Sequence, residues 1–128
     1  MDAYDYESII IAGHNYEING KLYPYGMFNH RLRRELSGSD MAIDSYRKYR
    51  KKLFGALFLA IGGPVLGTIG SIITMNPAPY FAGSFIALGA FPIAYAADRY
   101  FQRAAWFYNR DVLKEAIQEH EDEMNIED

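Results

Sequence analysis

Three histidines are the side chains of this sequence best suited to metal binding or proton transfer. His14, His30 and His120 do not fall in a metal-ligand spacing, and none lies in the apolar part of the chain, where it could hold a haem. The chain has no cysteine, which excludes disulfides and thiolate metal sites. We therefore expect no metal site and no cofactor, and we interpret the histidines as solvated or interfacial.

Patterns for nucleophilic catalysis and phosphate binding are also missing from the sequence. No serine has a base partner at a recognisable spacing, and no glycine-rich loop stands between a strand and a helix. Carboxylates are plentiful in residues 98–128, where they have the pattern of a solvated acidic tail. The sequence predicts no catalytic residue, and we expect that the protein is not an enzyme.

The strongest chemical signal is a basic cluster next to the apolar region. It consists of Arg47, Lys48, Arg50, Lys51 and Lys52. Basic clusters at a membrane surface attract anionic lipid headgroups, by about 1 kcal/mol per side chain. The simpler alternative is that the cluster only sets the membrane topology, and both interpretations stay open. A nucleic-acid partner is not expected, because the chain carries a net charge of -3.

The basic cluster is positioned by a long uncharged segment. Residues 53–97 contain no Asp, Glu, Lys, Arg or His. A surface helix of a soluble protein turns part of its circumference to water, so an uncharged run of this length indicates membrane insertion. Residues 53–75 and 80–97 each have the length of a membrane span, and residues 76–79 (Asn-Pro-Ala-Pro) form the turn of an antiparallel hairpin.

Basic residues flank the apolar segment on both sides and are absent from the turn. Nine of the 13 Lys and Arg residues precede residue 53, and the other four follow residue 97. By the positive-inside rule both termini are then cytoplasmic, in a cell inner membrane that the chain crosses twice. The first eight residues lack the basic-then-apolar pattern of a signal peptide, so we expect the helices themselves to direct insertion.

Small residues recur in both spans at spacings of three and four. Contact between lipid-solvated helices depends on close backbone approach, which such residues allow. We predict that the two rows face each other as a packed seam; the alternative is that glycine and alanine are simply common in membrane helices. The predicted seam consists of Ala56, Ala60, Gly63, Gly67 and Gly70 in the first span and of Gly83, Ala87, Ala90 and Ala94 in the second.

Two prolines lie inside the predicted spans. Pro64 follows Gly62-Gly63, and Pro92 lies in the middle of the second span. A proline cannot donate to the carbonyl four residues earlier, so each is expected to kink its helix. Facing kinks could line a cavity, although most prolines in membrane helices are structural bends.

The N-terminal arm, residues 1–52, is expected to be a small cytoplasmic domain. Asn19-Gly20 separates two alternating segments, 16–18 and 21–23, which is the pattern of a β-hairpin. A loosely ordered arm is the alternative. The spacing of the apolar residues in 25–36 then predicts a short helix, and a second helix is expected from Met41 into the first span.

The C-terminal arm, residues 98–128, is expected to continue the second span as a cytoplasmic helix with an acidic tail. The sequence as a whole therefore predicts a mainly α-helical integral membrane protein. Its core is a two-helix transmembrane hairpin, residues 53–97, with helical cytoplasmic extensions and a short N-terminal β-hairpin.

Three stretches of the sequence resemble small two-span membrane proteins of Bacteroidota, which have no assigned activity. They are YEINGKLY (16–23), AIDSYRKYRKKLFGALFLAIGGPVLG (42–67) and AADRYFQRAAWFYN (96–109). The resemblance covers about residues 16–110. It implies the architecture and a bacterial origin, and it transfers no catalytic or binding residue. Pro64 and the acidic tail depart from the pattern of those proteins.

These patterns favour a non-enzymatic membrane scaffold or an accessory subunit of a membrane protein complex, bound to another membrane protein or to copies of itself. One alternative is a small oligomeric channel or membrane-active effector, although the absence of charged residues in the spans counts against transport. The other is an anionic-lipid-binding membrane protein. Candidate contact residues are the basic cluster and five aromatic residues, Tyr46, Tyr49, Phe101, Trp106 and Tyr108.

Overall fold

The computed structural model describes residues 8–13, 15–24 and 29–126. The protein is mainly helical, with one small sheet. The strands are β1 (Ile10–Ala12), β2 (Asn15–Ile18) and β3 (Lys21–Pro24). The helices are α1 (His30–Glu35), α2 (Asp40–Thr74), α3 (Ala78–Leu88) and α4 (Ala90–Ile126), with a 3-10 turn at Leu36–Gly38. By its contacts the chain divides into unit 1, residues 1–46 and 101–128, and unit 2, residues 47–100.

The predicted β-hairpin is present and is part of a three-stranded antiparallel sheet in the order β1-β2-β3. Its turn is Asn19-Gly20, with φ of 56° and 68°, the positive values that a two-residue hairpin turn requires at both positions. β1 pairs with the other side of β2, with Ile11 opposite Tyr16. The sheet turns Tyr16 and Ile18 inward, as the two-residue period of a strand dictates.

The core of unit 1 is formed by the inner face of the sheet together with residues of α1, the 3-10 turn, α2 and α4. Its largest fully buried side chains are Tyr16, Ile18, Leu32, Leu36, Tyr46 and Phe101. Asn29 joins the sheet to α1, because its Oδ1 accepts from the Leu32 N–H and its Nδ2 donates to the Pro24 carbonyl. The predicted short helix over 25–36 is observed only from His30, since residues 25–28 lie outside the described part of the chain.

The helix α2 begins one residue earlier than expected, at Asp40, and remains helical through Pro64 to Thr74. Its end is closed by Met75, which has a left-handed φ of 49°. The Asn76 N–H donates to the Ser71 carbonyl at 3.3 Å, the six-to-one bond of a helix C-cap. The turn between α2 and α3 is therefore residues 75–77, slightly earlier than the predicted turn at 76–79.

A kink was expected at Pro92, and the second helix is interrupted just before it, at Gly89. α3 ends at Leu88 and α4 begins at Ala90. Pro92 has no N–H to donate to the Leu88 carbonyl, so the hydrogen-bond ladder lacks a bond where the helix breaks. The Gly89 N–H instead donates to the Ile86 carbonyl at 3.1 Å. Pro92 thus lies in the first turn of α4, where no helical bond depends on its nitrogen.

Within the part of the chain that the structure describes, two segments are long and apolar enough to cross a membrane, by length and composition. They are α2, Asp40–Thr74, and the run Ala78–Asp122, which Gly89 interrupts. In each segment, 17% of the most apolar stretch of 18 residues is buried within the protein.

Candidate functional site

The backbones of α2 and α3 come into close contact at glycines of both helices. A Cβ on Gly63 would lie 2.5 Å from the Gly83 carbonyl oxygen, and a Cβ on Gly67 would lie 3.1 Å from Gly83 Cα. A Cβ on Gly70 would meet Pro79 Cβ at 3.0 Å. Residues later in α2 contact residues earlier in α3, so the two helices are antiparallel. Glycine is required here because no side chain fits between the backbones.

The rest of the predicted seam differs in exposure. Ala56 is 4% exposed and Ala90 is 6% exposed, and both are buried. Ala87 and Ala94 are half-buried, whereas Ala60 is exposed. The structure therefore brings Gly63, Gly67, Gly70 and Gly83 into the α2–α3 contact, and it places Ala60 on the surface.

An apolar groove of about 330 Å³ lies beside this glycine contact. On the α2 side it is lined by residues that include Phe58, Gly62 and Leu66, and on the α3 side by residues that include Ala82 and Ile86. Gly62 leaves room in the groove, because a Cβ there would meet only the Phe58 ring, at 3.9 Å. The groove belongs to the same helix pair as the seam but lies on its outer face, where Phe58 is 67% exposed.

The charges of unit 2 are gathered where the chain enters and leaves this unit. Residues 47–100 contain the five residues of the basic cluster and Arg99, against a single acidic residue, Asp98. The Lys52 ammonium lies 5.5 Å from the centre of the Tyr100 ring, and the Arg99 guanidinium lies 5.6 Å from that of Tyr95. Cations over aromatic faces are held by the ring quadrupole, which orients these side chains.

Arg50 differs from the rest of the basic cluster. Its Nε is shielded from solvent and has no hydrogen-bond acceptor among the described residues. Leaving a charged donor without an acceptor costs more than the roughly 1–3 kcal/mol of a neutral one. Arg50 therefore holds a buried donor for which the described residues supply no acceptor.

The polar centre of unit 1 joins the start of α2 to the middle of α4. The Ser39 hydroxyl donates to Asp111 Oδ2 at 2.5 Å and accepts from the Ala42 N–H at 3.3 Å, so Ser39 caps α2. Arg110 donates to Asp111 Oδ1 through Nε at 2.9 Å and through an Nη at 2.7 Å. The Ser39 hydroxyl first, and then Arg110, hold the pKa of Asp111 below its usual value of 3.8.

A small polar cavity of about 150 Å³ lies next to this centre, lined in part by Glu35, Ser39, Tyr108 and Asp111. Although Ser39 has a carboxylate partner, it is 3% exposed and its hydroxyl is used by the helix cap. The bonds of Ser39 with Asp111 and Ala42 position α2 against α4 within unit 1.

The aromatic residues predicted to contact a partner separate into two groups. Tyr46 and Phe101 are 1% exposed and Tyr49 is 4% exposed, so these three pack inside the protein instead of forming a contact surface. Trp106 is 60% exposed, with the Arg110 guanidinium 5.6 Å from its ring centre. Tyr108 is half-buried and lines the small cavity. Their aromatic character alone did not distinguish core from surface.

Within the described residues, no group of three or more His, Cys, Asp or Glu side chains could hold a metal ion. His30 and His120 are exposed, and His14 lies outside the described part of the chain. Two contacts that the sequence did not predict, Ser39 with Asp111 and Ile9 with Asn109, join residues 72 and 100 positions apart.

Comparison of the chain with known protein families, with curated proteins and with solved structures finds no match.

Proposed function

We propose that this chain is a non-enzymatic integral membrane protein that acts as a scaffold or accessory subunit. In this proposal the helices of unit 2 cross the bilayer as a hairpin, with both termini in the cytoplasm. The observation that carries it is the exposure of the apolar side chains. Phe58, Ile72 and Phe85 are 67%, 71% and 73% exposed, a state that costs free energy in water and none in lipid.

A buried helix of a soluble protein has the same apolar composition, but most of its surface is covered by the rest of the chain. Here the rest of the chain covers 17% of the most apolar 18-residue stretch of each segment. The remaining surface needs either lipid or another protein against it. This supports a membrane location and leaves a large surface for a partner.

The hydroxyl groups of the apolar segments support a scaffold over a channel. The Thr68, Thr74 and Ser84 hydroxyls donate to the carbonyls four residues earlier, at 2.8, 2.8 and 3.0 Å. The Ser71 hydroxyl accepts from the Tyr80 N–H at 2.9 Å. Polar groups bonded within their own helix pair suit a dry, lipid-facing environment, whereas a pore needs them free to meet water or ions.

Topology can be tested directly because the chain has no cysteine of its own. Met75→Cys marks the turn at a residue that is 95% exposed, and Gln118→Cys marks an exposed position of α4. In intact bacterial cells, a membrane-impermeant maleimide should label the Met75→Cys variant from outside, and it should label the Gln118→Cys variant only after permeabilisation. Labelling of both variants without permeabilisation would contradict two spans with cytoplasmic termini.

The scaffold role is tested by extracting the native protein in a gentle detergent and identifying co-purified proteins by mass spectrometry. The expected result is a membrane protein at constant stoichiometry, or a discrete oligomer of this chain. Gly83→Ala, which disturbs the helix contact, serves as the matched variant and should lose the partner. Recovery of the free monomer alone from the unaltered protein would contradict the scaffold role.

A further inference from the structure

We propose that unit 2 binds one anionic phospholipid, with its phosphate at Arg50 and one acyl chain along α2 in the groove at Gly62. This inference rests on the proposed membrane insertion and goes beyond it, because it assigns a ligand to a defined surface.

The headgroup end of the site follows from charge. Six of the seven charged residues of unit 2 are basic, and all seven lie near its two chain ends, in residues 47–52 and 98–99. Arg50 adds a guanidinium whose Nε has no acceptor among the described residues. A phosphate diester is the anionic group of phospholipids, and its oxygens match the planar donors of a guanidinium.

An exposed apolar row leads from Arg50 to the groove. On an α-helix, residues four apart lie on one ridge, and the ridge from Arg50 continues through Phe54, Phe58 and Gly62 to Leu66. Phe54 is 60% exposed and Phe58 is 67% exposed. A ligand on this ridge therefore meets a cation first and hydrocarbon afterwards, which is the polarity of a phospholipid.

The end of the groove nearest to Arg50 lies close to the depth that an acyl chain reaches. Twelve residues separate Arg50 from Gly62, about 18 Å along a helix. One leaflet of the hydrocarbon core is about 15 Å thick. The walls of the groove, Phe58, Leu66 and Ile86 among them, are apolar, as the binding of an acyl chain requires.

The test uses the full-length protein, delipidated in mild detergent and titrated with palmitoyl-oleoyl phosphatidylglycerol or the corresponding phosphatidylcholine. Native mass spectrometry counts the bound lipid. Phosphatidylglycerol should bind more tightly, and Arg50→Gln should weaken it about fivefold, the effect of one basic side chain at a membrane surface. Lys114→Gln, the same charge change at an exposed position of unit 1, is the control and should leave binding unaltered.

The acyl-chain half of the site is tested by filling the groove. Gly62→Leu places a side chain in it, whereas Gly55→Leu makes the same change where a Cβ meets nothing within 4 Å and outside the residues that line the groove. Gly62→Leu should reduce phosphatidylglycerol binding several-fold, and Gly55→Leu should not. If Gly62→Leu lowers the melting temperature, Ala82→Leu fills the groove from an exposed position of α3.

Three results would overturn the inference. They are equal binding of the two lipids, weakening by Arg50→Gln without any effect of the groove-filling variants, and displacement of the lipid by soluble glycerol phosphate, which has no acyl chain. The cysteine-labelling experiment measures membrane insertion independently of lipid binding. A protein that inserts but fails the lipid test therefore refutes the lipid site and leaves the proposed function in place.

Discussion

The side-chain amide of Asn109 pairs with the main chain of Ile9. Its Oδ1 accepts from the Ile9 N–H at 2.7 Å, and its Nδ2 donates to the Ile9 carbonyl at 2.8 Å. This imitates the two bonds that a neighbouring strand would supply to a residue at the edge of a sheet. Ile9 directly precedes β1, and its side chain is 2% exposed. One residue of α4 therefore satisfies both polar groups of a buried backbone position.

Replacing Asn109 with leucine should destabilise the start of the sheet. Both Ile9 groups would then be buried without partners, at a cost of about 1–3 kcal/mol each, less whatever water can reach them. Hydrogen exchange of the amides in residues 8–13 and 15–18 should accelerate. Gln118→Leu, on an exposed part of the same helix, is the control. Unchanged exchange in Asn109→Leu would show that the pairing contributes little.

The prediction of the sheet succeeded where the information was local. Asn19-Gly20 determines the hairpin because two adjacent residues must have positive φ, and few residue pairs tolerate that. The third strand, β1, pairs with β2, and the sequence indicates it only by the short apolar run Ile9-Ile10-Ile11. The contact of Asn109 with Ile9, which precedes this strand, joins residues 100 positions apart and has no local pattern.

In the helical part of the fold, too, local features were predictable from the sequence and contacts between distant residues were not. The close contact of Gly63 with Gly83 was predictable, because a short turn makes the helices adjacent and periodic small residues indicate where they approach. The break at Gly89 was not predicted, since the missing hydrogen bond of Pro92 permits either a bend or a break. The link from Ser39 to Asp111 spans 72 residues, and neither residue has a local pattern that indicates it.

Met75→Gly should raise the thermal stability of the helix pair. Met75 adopts the left-handed conformation at the end of α2, which costs an ordinary residue about 1–2 kcal/mol. Glycine adopts this conformation without strain, but it also raises the entropy of the unfolded chain, which offsets part of the benefit. The expected net increase in the free energy of unfolding is about 0.5–1 kcal/mol. Melting in detergent, followed by circular dichroism, measures the change. Met75→Ala removes the same side chain and keeps the strain, so a similar gain in that control would contradict the explanation.

Gly83→Ala adds only one methyl group, but it should clearly destabilise the helix pair. The added Cβ would overlap the Gly63 carbonyl oxygen and lie 3.0 Å from Gly67 Cα, so the two backbones must separate. Overpacking of this kind costs about 1–3 kcal/mol. Gly55→Ala is the matched control, because its Cβ meets nothing within 4 Å and alanine favours a helix by about 1 kcal/mol. Equal melting temperatures for the two variants would mean that the glycine contact does not hold the helices together.

The stability of unit 1 should fall in acid because of Asp111. The Ser39 hydroxyl and Arg110 lower the pKa of its carboxyl in the folded protein below the 3.8 of the unfolded chain. A lowered folded-state pKa stabilises the fold above the unfolded value, and this contribution disappears as the pH falls below 3.8 through the folded value. Trp106 is the only tryptophan and lies in unit 1, so its fluorescence can follow chemical unfolding from about pH 6 to about pH 3, across the range in which carboxylates titrate.

Three variants test whether Asp111 causes this loss of stability in acid. Asp111→Asn should reduce the loss of stability below about pH 4, near the ordinary pKa of an aspartate, and Ser39→Ala should reduce it in part. Asp122→Asn, at an exposed position of the same helix, should retain the full loss. If Asp111→Asn retained it as well, the acid sensitivity would belong to other carboxylates, and the Ser39–Asp111 contact would serve only to cap α2.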